Sequence, residues 1–101
     1  MSFEDLVDRQ IWTHEVGLEN AAHELGLSPT TLKDRLAAMS TSYSKLVEER
    51  RSRWARKLLA ESDLPVGEIA HSLGYRHQSN FTRAFVRMSG MTPLAYRREH
   101  H

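Results

Sequence analysis

The stretch from Val66 to Tyr96, VGEIAHSLGYRHQSNFTRAFVRMSGMTPLAY, decides how the chain is read. Its first part predicts a short amphipathic helix with Ile69, Ala70 and Leu73 on one face. Gly74 breaks that helix where a left-handed C-cap is expected. After a brief polar turn, RHQ, a second helix is expected, with an apolar face of Phe81, Phe85 and Met88 at i, i+4, i+7 spacing. Its opposite face carries Gln78, Ser79, Thr82 and Arg83. Two short helices joined by a Gly-containing turn are the pattern of a helix-turn-helix, whose second helix lies in the major groove of DNA. The exposed residue types suit that task. Arg bonds guanine O6 and N7 bidentately, Gln or Asn does the same for adenine N6 and N7, and Ser and Thr adapt to several edges. An ordinary solvated helix face would look the same in isolation, so the rest of the chain has to decide.

The other half of the chain repeats the pattern. AHELGL at 22–27 matches AHSLGY at 70–75 nearly letter for letter. Leu32 and Leu36 then match Phe81 and Phe85 once the second turn is made one residue longer. The tails agree as well, STSYSKLVEERR (40–51) against GMTPLAYRREHH (90–101). Two unrelated amphipathic hairpins do not readily share such a register. Within the first copy, Leu18 to Leu25 reads as a helix ended by Gly26. Ser28 and Pro29, as N-cap and first helical residue, start another that runs to Met39 and buries Leu32, Leu36 and Met39.

Between the copies, Tyr43 to Glu61 contains no Gly or Pro and reads as one long helix with Leu46, Val47, Trp54, Leu58 and Leu59 apolar. At about 1.5 Å per residue it spans roughly 30 Å, near the roughly 34 Å of one DNA turn. That length suits holding two recognition helices in adjacent major grooves. Phe3 to about Thr13 predicts a first, scaffolding helix with the stripe Phe3, Leu6, Val7, Gln10 and Ile11 and Ser2 as N-cap. Thr92 and Pro93 start a last short helix, 93–98.

Composition sets the class. With 101 residues, 40% hydrophobic and 27% charged, the chain is expected to form one globular domain. No run is apolar enough for a membrane span and no signal-peptide pattern is present, so a cytoplasmic location is expected. The net charge of +1 is unevenly distributed. Residues 1–34 hold two basic residues against seven acidic ones, whereas Arg76 to Arg98 holds five arginines and no acid. The basic side is expected to face a polyanion.

Three motifs, EIAHSLGY (68–75), SNFTRAF (79–85) and GMTPLAYRR (90–98), resemble the C-terminal signature of the AraC/XylS family of bacterial transcription regulators. The resemblance reaches back to about Leu18. It implies an all-α fold of about seven helices, with two helix-turn-helix units (about 18–40 and 66–89) joined by the linker helix (43–61). It implies sequence-specific binding to double-stranded DNA. Further partners that it implies are RNA polymerase and a companion effector-binding and dimerisation domain outside this chain. An abrupt, acidic N-terminal start fits the C-terminal part of a longer protein, although small stand-alone members exist. The absence of cysteine weighs against the related DNA-repair methyltransferases, which work through cysteines.

Carried onto this sequence, the base-reading positions of the second unit are Gln78, Ser79, Thr82 and Arg83, with Asn80 at the margin. The repeat puts their counterparts at Thr30, Thr31, Lys33 and Asp34. Asp34 in place of an arginine departs from the family, since a carboxylate near phosphate is repelled, though it can accept from cytosine N4. The first unit is therefore expected to bind weakly or mainly to position the protein. Phosphate contacts are expected from the cluster Arg76, Arg87, Arg97 and Arg98, with Arg50, Arg53, Arg56 and Lys57 on the linker. Arg51 is assigned a structural pairing or capping role that locks the linker, and Trp54 and Tyr75 are assigned to the core. Ser40 and His77 replace a common Gly and a common helix cap.

Other chemistries find little support. His71 and His77 lie six apart with no third ligand near, so neither a metal nor a cofactor is expected. There is no Gly-rich phosphate loop or nucleophile–base pair, and Glu48 and Glu49 face two directions on their helix, so an enzyme is not expected. The alternative from another class is an interaction or architectural module that kept the fold with weak or non-specific DNA binding, motivated by Asp34 and the low net charge.

Overall fold

Helix α1 (Phe3–Thr13) begins where Ser2 and Asp5 cap each other: the Ser2 hydroxyl accepts from the Asp5 N–H at 3.1 Å, and the Asp5 carboxylate accepts from the Ser2 N–H at 3.3 Å. In a computed structural model describing residues 2–101, six further helices follow, with no strand among those residues. They are α2 (Leu18–Glu24), α3 (Pro29–Ala38), α4 (Tyr43–Glu61), α5 (Val66–Ser72), α6 (Gln78–Ser89) and α7 (Pro93–His100). The chain divides into two compact units, the first ending at Arg50 and the second starting at Arg51, within α4.

In the first unit Leu6, Ala21, Ala22, Leu32 and Leu36 form a buried cluster, with Phe3, Leu18, Leu27, Tyr43 and Leu46 packed against it. Gln10, placed on the apolar stripe of α1 by its spacing, is 2% exposed and belongs to a polar network. The Tyr43 hydroxyl donates to Gln10 Oε1 at 2.6 Å and accepts from the Gly17 N–H at 2.8 Å. A buried carboxamide must be hydrogen-bonded, and this network does that while tying α1 and the start of α2 to α4. Asp8 and Arg50 add a second tie, two parallel hydrogen bonds of 2.7 Å each.

The second unit is built on aromatic rings. Phe81 and Phe85 are fully buried, 5.8 Å apart, with Tyr75 at 5.4 Å from Phe81 and Tyr96 edge-on to Phe85 at 5.6 Å. Truncating either phenylalanine to Ala is worth about 3–5 kcal/mol, a large share of a small domain's stability. Ala55, Leu59, Val66, Ile69, Ala70, Leu73 and Ala84 are buried with them.

The repeat seen in the sequence is a repeat of hydrogen bonds. Leu27 N–H donates to the Ala22 carbonyl at 2.9 Å, and Tyr75 N–H donates to the Ala70 carbonyl at 3.0 Å. Gly26 (φ 69°) and Gly74 (φ 96°) supply the left-handed residue that each closure needs. The tail repeats too: Ser40 adopts φ 60° where Gly90 adopts 78°.

Several boundaries and faces differ from expectation. α2 stops at Glu24 and α3 at Ala38, while α7 extends to His100. Gln78 is the first residue of α6 rather than part of the preceding turn. Met39 is 73% exposed and Met88 39% exposed, so neither belongs to the core. Met39 directly follows α3 and Met88 lies in the last turn of α6, each within two residues of the left-handed residue where the chain leaves the packed face.

Candidate nucleic-acid interface

The polar edge of α6 follows from what its other side buries. Phe81, Ala84 and Phe85 face inward, which leaves Gln78, Ser79, Asn80 and Arg83 exposed and Thr82 half-buried. The helix carries no acidic residue in its first turn or elsewhere. Arg83 Nη2 donates to Asn80 Oδ1 one turn earlier. Gln78 lies across α5: a Cβ built on Gly67 would stand 2.9 Å from Gln78 Oε1. The N-cap residue, His77, makes no side-chain hydrogen bond to the helix start, unlike Ser28 and Thr92 at α3 and α7.

The polar edge of α3 is chemically different. Thr30, Lys33 and Asp34 are exposed and Thr31 is half-buried, behind which Leu32 and Leu36 are buried. Ser28 caps this helix, accepting from the Thr31 N–H at 3.1 Å and donating to the Thr31 hydroxyl at 2.9 Å. Lys33 and Asp34 are consecutive and both exposed, so together they add no net charge to α3. They also border a groove of about 360 Å³ reaching Leu18, Ala37 and Tyr43.

The candidate phosphate ligands differ in exposure. Arg76, Arg87 and Arg98 are exposed, as are Arg53, Arg56 and Lys57 on α4, the last with its ammonium 5.8 Å from the Trp54 ring. Arg50 and Arg97 are engaged within their own units. Arg50 is bonded to Asp8, which holds its pKa above the ordinary arginine value, first through the side-chain hydrogen bond. Arg97 Nε donates to the Leu59 carbonyl at 3.1 Å and Nη2 to the Ser62 carbonyl at 3.2 Å. Arg97 thus satisfies acceptors at the C-terminal end of α4, which a helix otherwise leaves open. Arg51 also caps, donating from Nε to the Leu73 carbonyl at 2.8 Å.

Two contacts had no local signal in the sequence. Gly67 and Gln78 meet across the helix pair, and Asp8 reaches Arg50 across 42 positions. The Asn80–Arg83 pair did have a signal, its i, i+3 spacing on one helix face. Among the described residues no cluster of three or more His, Cys, Asp or Glu side chains could hold a metal ion. No helix among them is long and apolar enough to cross a membrane.

Residues 21–99 match a family described as "Helix-turn-helix domain". The ornithine utilization regulator of Pseudomonas aeruginosa is 40% identical over 80 residues, covering 79% of this chain and 24% of that protein. The chain spans about a quarter of the length of the curated relatives it matches. Among solved structures, a DNA-binding transcriptional dual regulator from Escherichia coli K-12 superposes with a TM-score of 0.91 at 34% identity, over 97% of this chain and 87% of that one. A transcriptional regulator from Chromobacterium violaceum, described as containing an AraC-type DNA-binding domain, superposes with a TM-score of 0.89 over 97% of this chain and 88% of its own. At 22% identity that likeness shows the shared fold.

Proposed function

We propose, for a chain that belongs to the AraC/XylS family of helix-turn-helix transcription regulators, that α6 is its principal base-reading element. Members of such a family bind double-stranded DNA in a sequence-specific way. The observation that carries the proposal is the acid-free edge of α6, held rigid by the buried Phe81 and Phe85. In this reading α6 enters a major groove, with Gln78, Ser79, Thr82 and Arg83 at base edges. Arg83 takes guanine O6 and N7, and Gln78 takes a base edge or phosphate.

Phosphate contacts are assigned to Arg76, Arg87 and Arg98, and to Arg53, Arg56 and Lys57. Arg50 and Arg97 are left out because their side chains are partly buried and bonded to Asp8 and to the end of α4, whereas the six retained cations are exposed. Each cation that meets a phosphate releases a counterion, so Arg98→Ala should reduce the slope of log affinity against log salt by about 1. For the first unit, α3 supplies Thr30, Thr31, Lys33 and Asp34. We assign it weak reading and mainly a positioning role, because Asp34 is repelled by phosphate and offsets Lys33.

The length of its relatives supports a companion domain elsewhere in the protein, with effector binding and dimerisation outside this chain. RNA polymerase as a partner and a cytoplasmic setting rest on the family alone. The chain is read as a binding domain with no cofactor, not as an enzyme.

Selection of binding sites from random double-stranded DNA tests this reading, using the wild type, Arg83→Ala and Asp34→Ala. The expected result is an enriched motif with one position relaxed by Arg83→Ala and little changed by Asp34→Ala. A specific reader gains about 4–10 kcal/mol over non-specific DNA. Binding without any enriched motif would instead favour a non-specific architectural module, the reading to which the exposed Asp34 points.

A further inference from the structure

We infer that Asn80 is a positioning residue, which sets the Arg83 guanidinium for a guanine and does not itself read a base. The inference rests on the reading above, in which α6 enters a groove.

Asn80 occupies the third position of α6, counting from Gln78. At the corresponding place in a capped helix, a polar side chain turns back to the N-cap residue. Asp5 does this in α1, with its carboxylate on the Ser2 N–H. Thr31 does it in α3, with its hydroxyl on Ser28. Asn80 behaves differently. Its N-cap residue, His77, makes no side-chain cap, and the Asn80 carboxamide points forward along the helix to Arg83. Residues i and i+3 share a helix face, so this hydrogen bond costs no backbone distortion.

Oδ1 of Asn80 accepts from one Nη2 hydrogen of Arg83. The remaining guanidinium N–H groups are left for a partner, and guanine O6 and N7 need two of them. Asn reads adenine only by combining Oδ1, which accepts from N6, with Nδ2, which donates to N7. In Asn80 one of the two lone pairs of that oxygen is already taken by Arg83, which turns the carboxamide toward the guanidinium. An exposed arginine otherwise spreads over many rotamers and gives up that freedom on binding. One acceptor fixed on the same helix removes part of that loss before the DNA arrives. The first unit lacks the device, because Thr31 bonds Ser28 and the counterpart of Arg83 is Asp34.

The test is site selection from random double-stranded DNA with the whole chain, followed by affinity measurements on single-base variants of the selected site. Arg83→Ala should abolish the guanine preference at one position. Asn80→Ala should weaken the preference at that same position about fivefold, the worth of one net hydrogen bond. It should leave the other positions unchanged, and the double variant should be no worse than Arg83→Ala alone. Asn80→Asp keeps the acceptor and loses the donor. It should restore the guanine preference while lowering affinity for all sequences alike, through repulsion from phosphate.

Relaxation of a different position by Asn80→Ala, or failure of Asn80→Asp to restore the preference, would overturn the inference and make Asn80 a reader of its own base. A lower melting temperature for Asn80→Ala, with uniform loss of affinity, would overturn it in favour of a merely structural role. If the wild type enriched no motif, the DNA-reading premise itself would fall, and the wild-type arm alone would show it.

Discussion

Arg51 donates from Nε to the carbonyl oxygen of Leu73, the C-cap residue of α5, over 2.8 Å. The same guanidinium sits 5.0 Å from the Tyr75 ring centre, and Nη2 would stand 3.0 Å from a Cβ on Gly74. One side chain of α4 therefore fastens the turn that aims α6. Removing it leaves a half-buried helix end without its charged donor. Arg51→Ala is expected to lower stability by about 1.5–3 kcal/mol, and Arg51→Lys to recover only part of that, since an ammonium lacks the planar fork. Urea denaturation measures it. The exposed Arg53→Ala should stay within about 0.5 kcal/mol of wild type and change only the salt dependence of DNA binding.

Arg50 should behave in the opposite way to Arg53, although the two lie three residues apart. Its side chain is 19% exposed, and Asp8, its partner, 15%. Arg50→Ala removes two charge-assisted hydrogen bonds from a mostly buried carboxylate and is expected to cost about 1–3 kcal/mol. The slope of log affinity against log salt should not change. A slope reduced by about 1, with stability intact, would return Arg50 to the phosphate-binding set.

Ser40 holds φ 60°, where the second repeat has Gly90 at φ 78°. A left-handed backbone costs a non-glycine residue about 1 kcal/mol, and the cost is local because Ser40 is exposed. Ser40→Gly is expected to raise stability by about 0.5–1 kcal/mol, net of the entropy that glycine loses on folding. Gly90→Ala should lower it by a similar amount. A Cβ at Gly90 meets nothing within 4 Å, so only the backbone term acts. Calorimetric melting of the two variants would show shifts of opposite sign.

Gly67 sits in the first turn of α5 beneath the Gln78 carboxamide. A methyl group there has its nearest contact, 2.9 Å, with the far end of a flexible side chain, which can swing away. Gly67→Ala is expected to leave stability unchanged or raise it by up to about 1 kcal/mol through helix propensity. The base preference should shift at the same position that Gln78→Ala alters. A shift at any other position, measured by site selection, would show that Gly67 acts by another route.

Local signals along the chain specify where the helices and the repeat lie, to within a residue or two at their ends. Caps at Ser2, Ser28 and Thr92, glycines at 26, 74 and 90, and apolar spacing are local signals, and the structure uses each of them. The sequence also settled which edge of α6 is polar, because a period of 3.6 residues fixes which side chains share a face. Periodicity does not fix how wide a face the neighbouring elements cover. Met39 and Met88 continue the apolar stripes of α3 and α6 in sequence and still lie outside the core. Nor does composition say where a cation goes. Arg50 and Arg53 are alike as letters, yet Arg50 meets a carboxylate 42 residues away, as Arg97 meets carbonyls 38 and 35 residues away. Such pairings exist only once the chain has brought distant acceptors within about 3 Å, where desolvation makes leaving them unpaired costly. The folded chain, and not its letters, therefore shows which of these arginines are bonded within the protein.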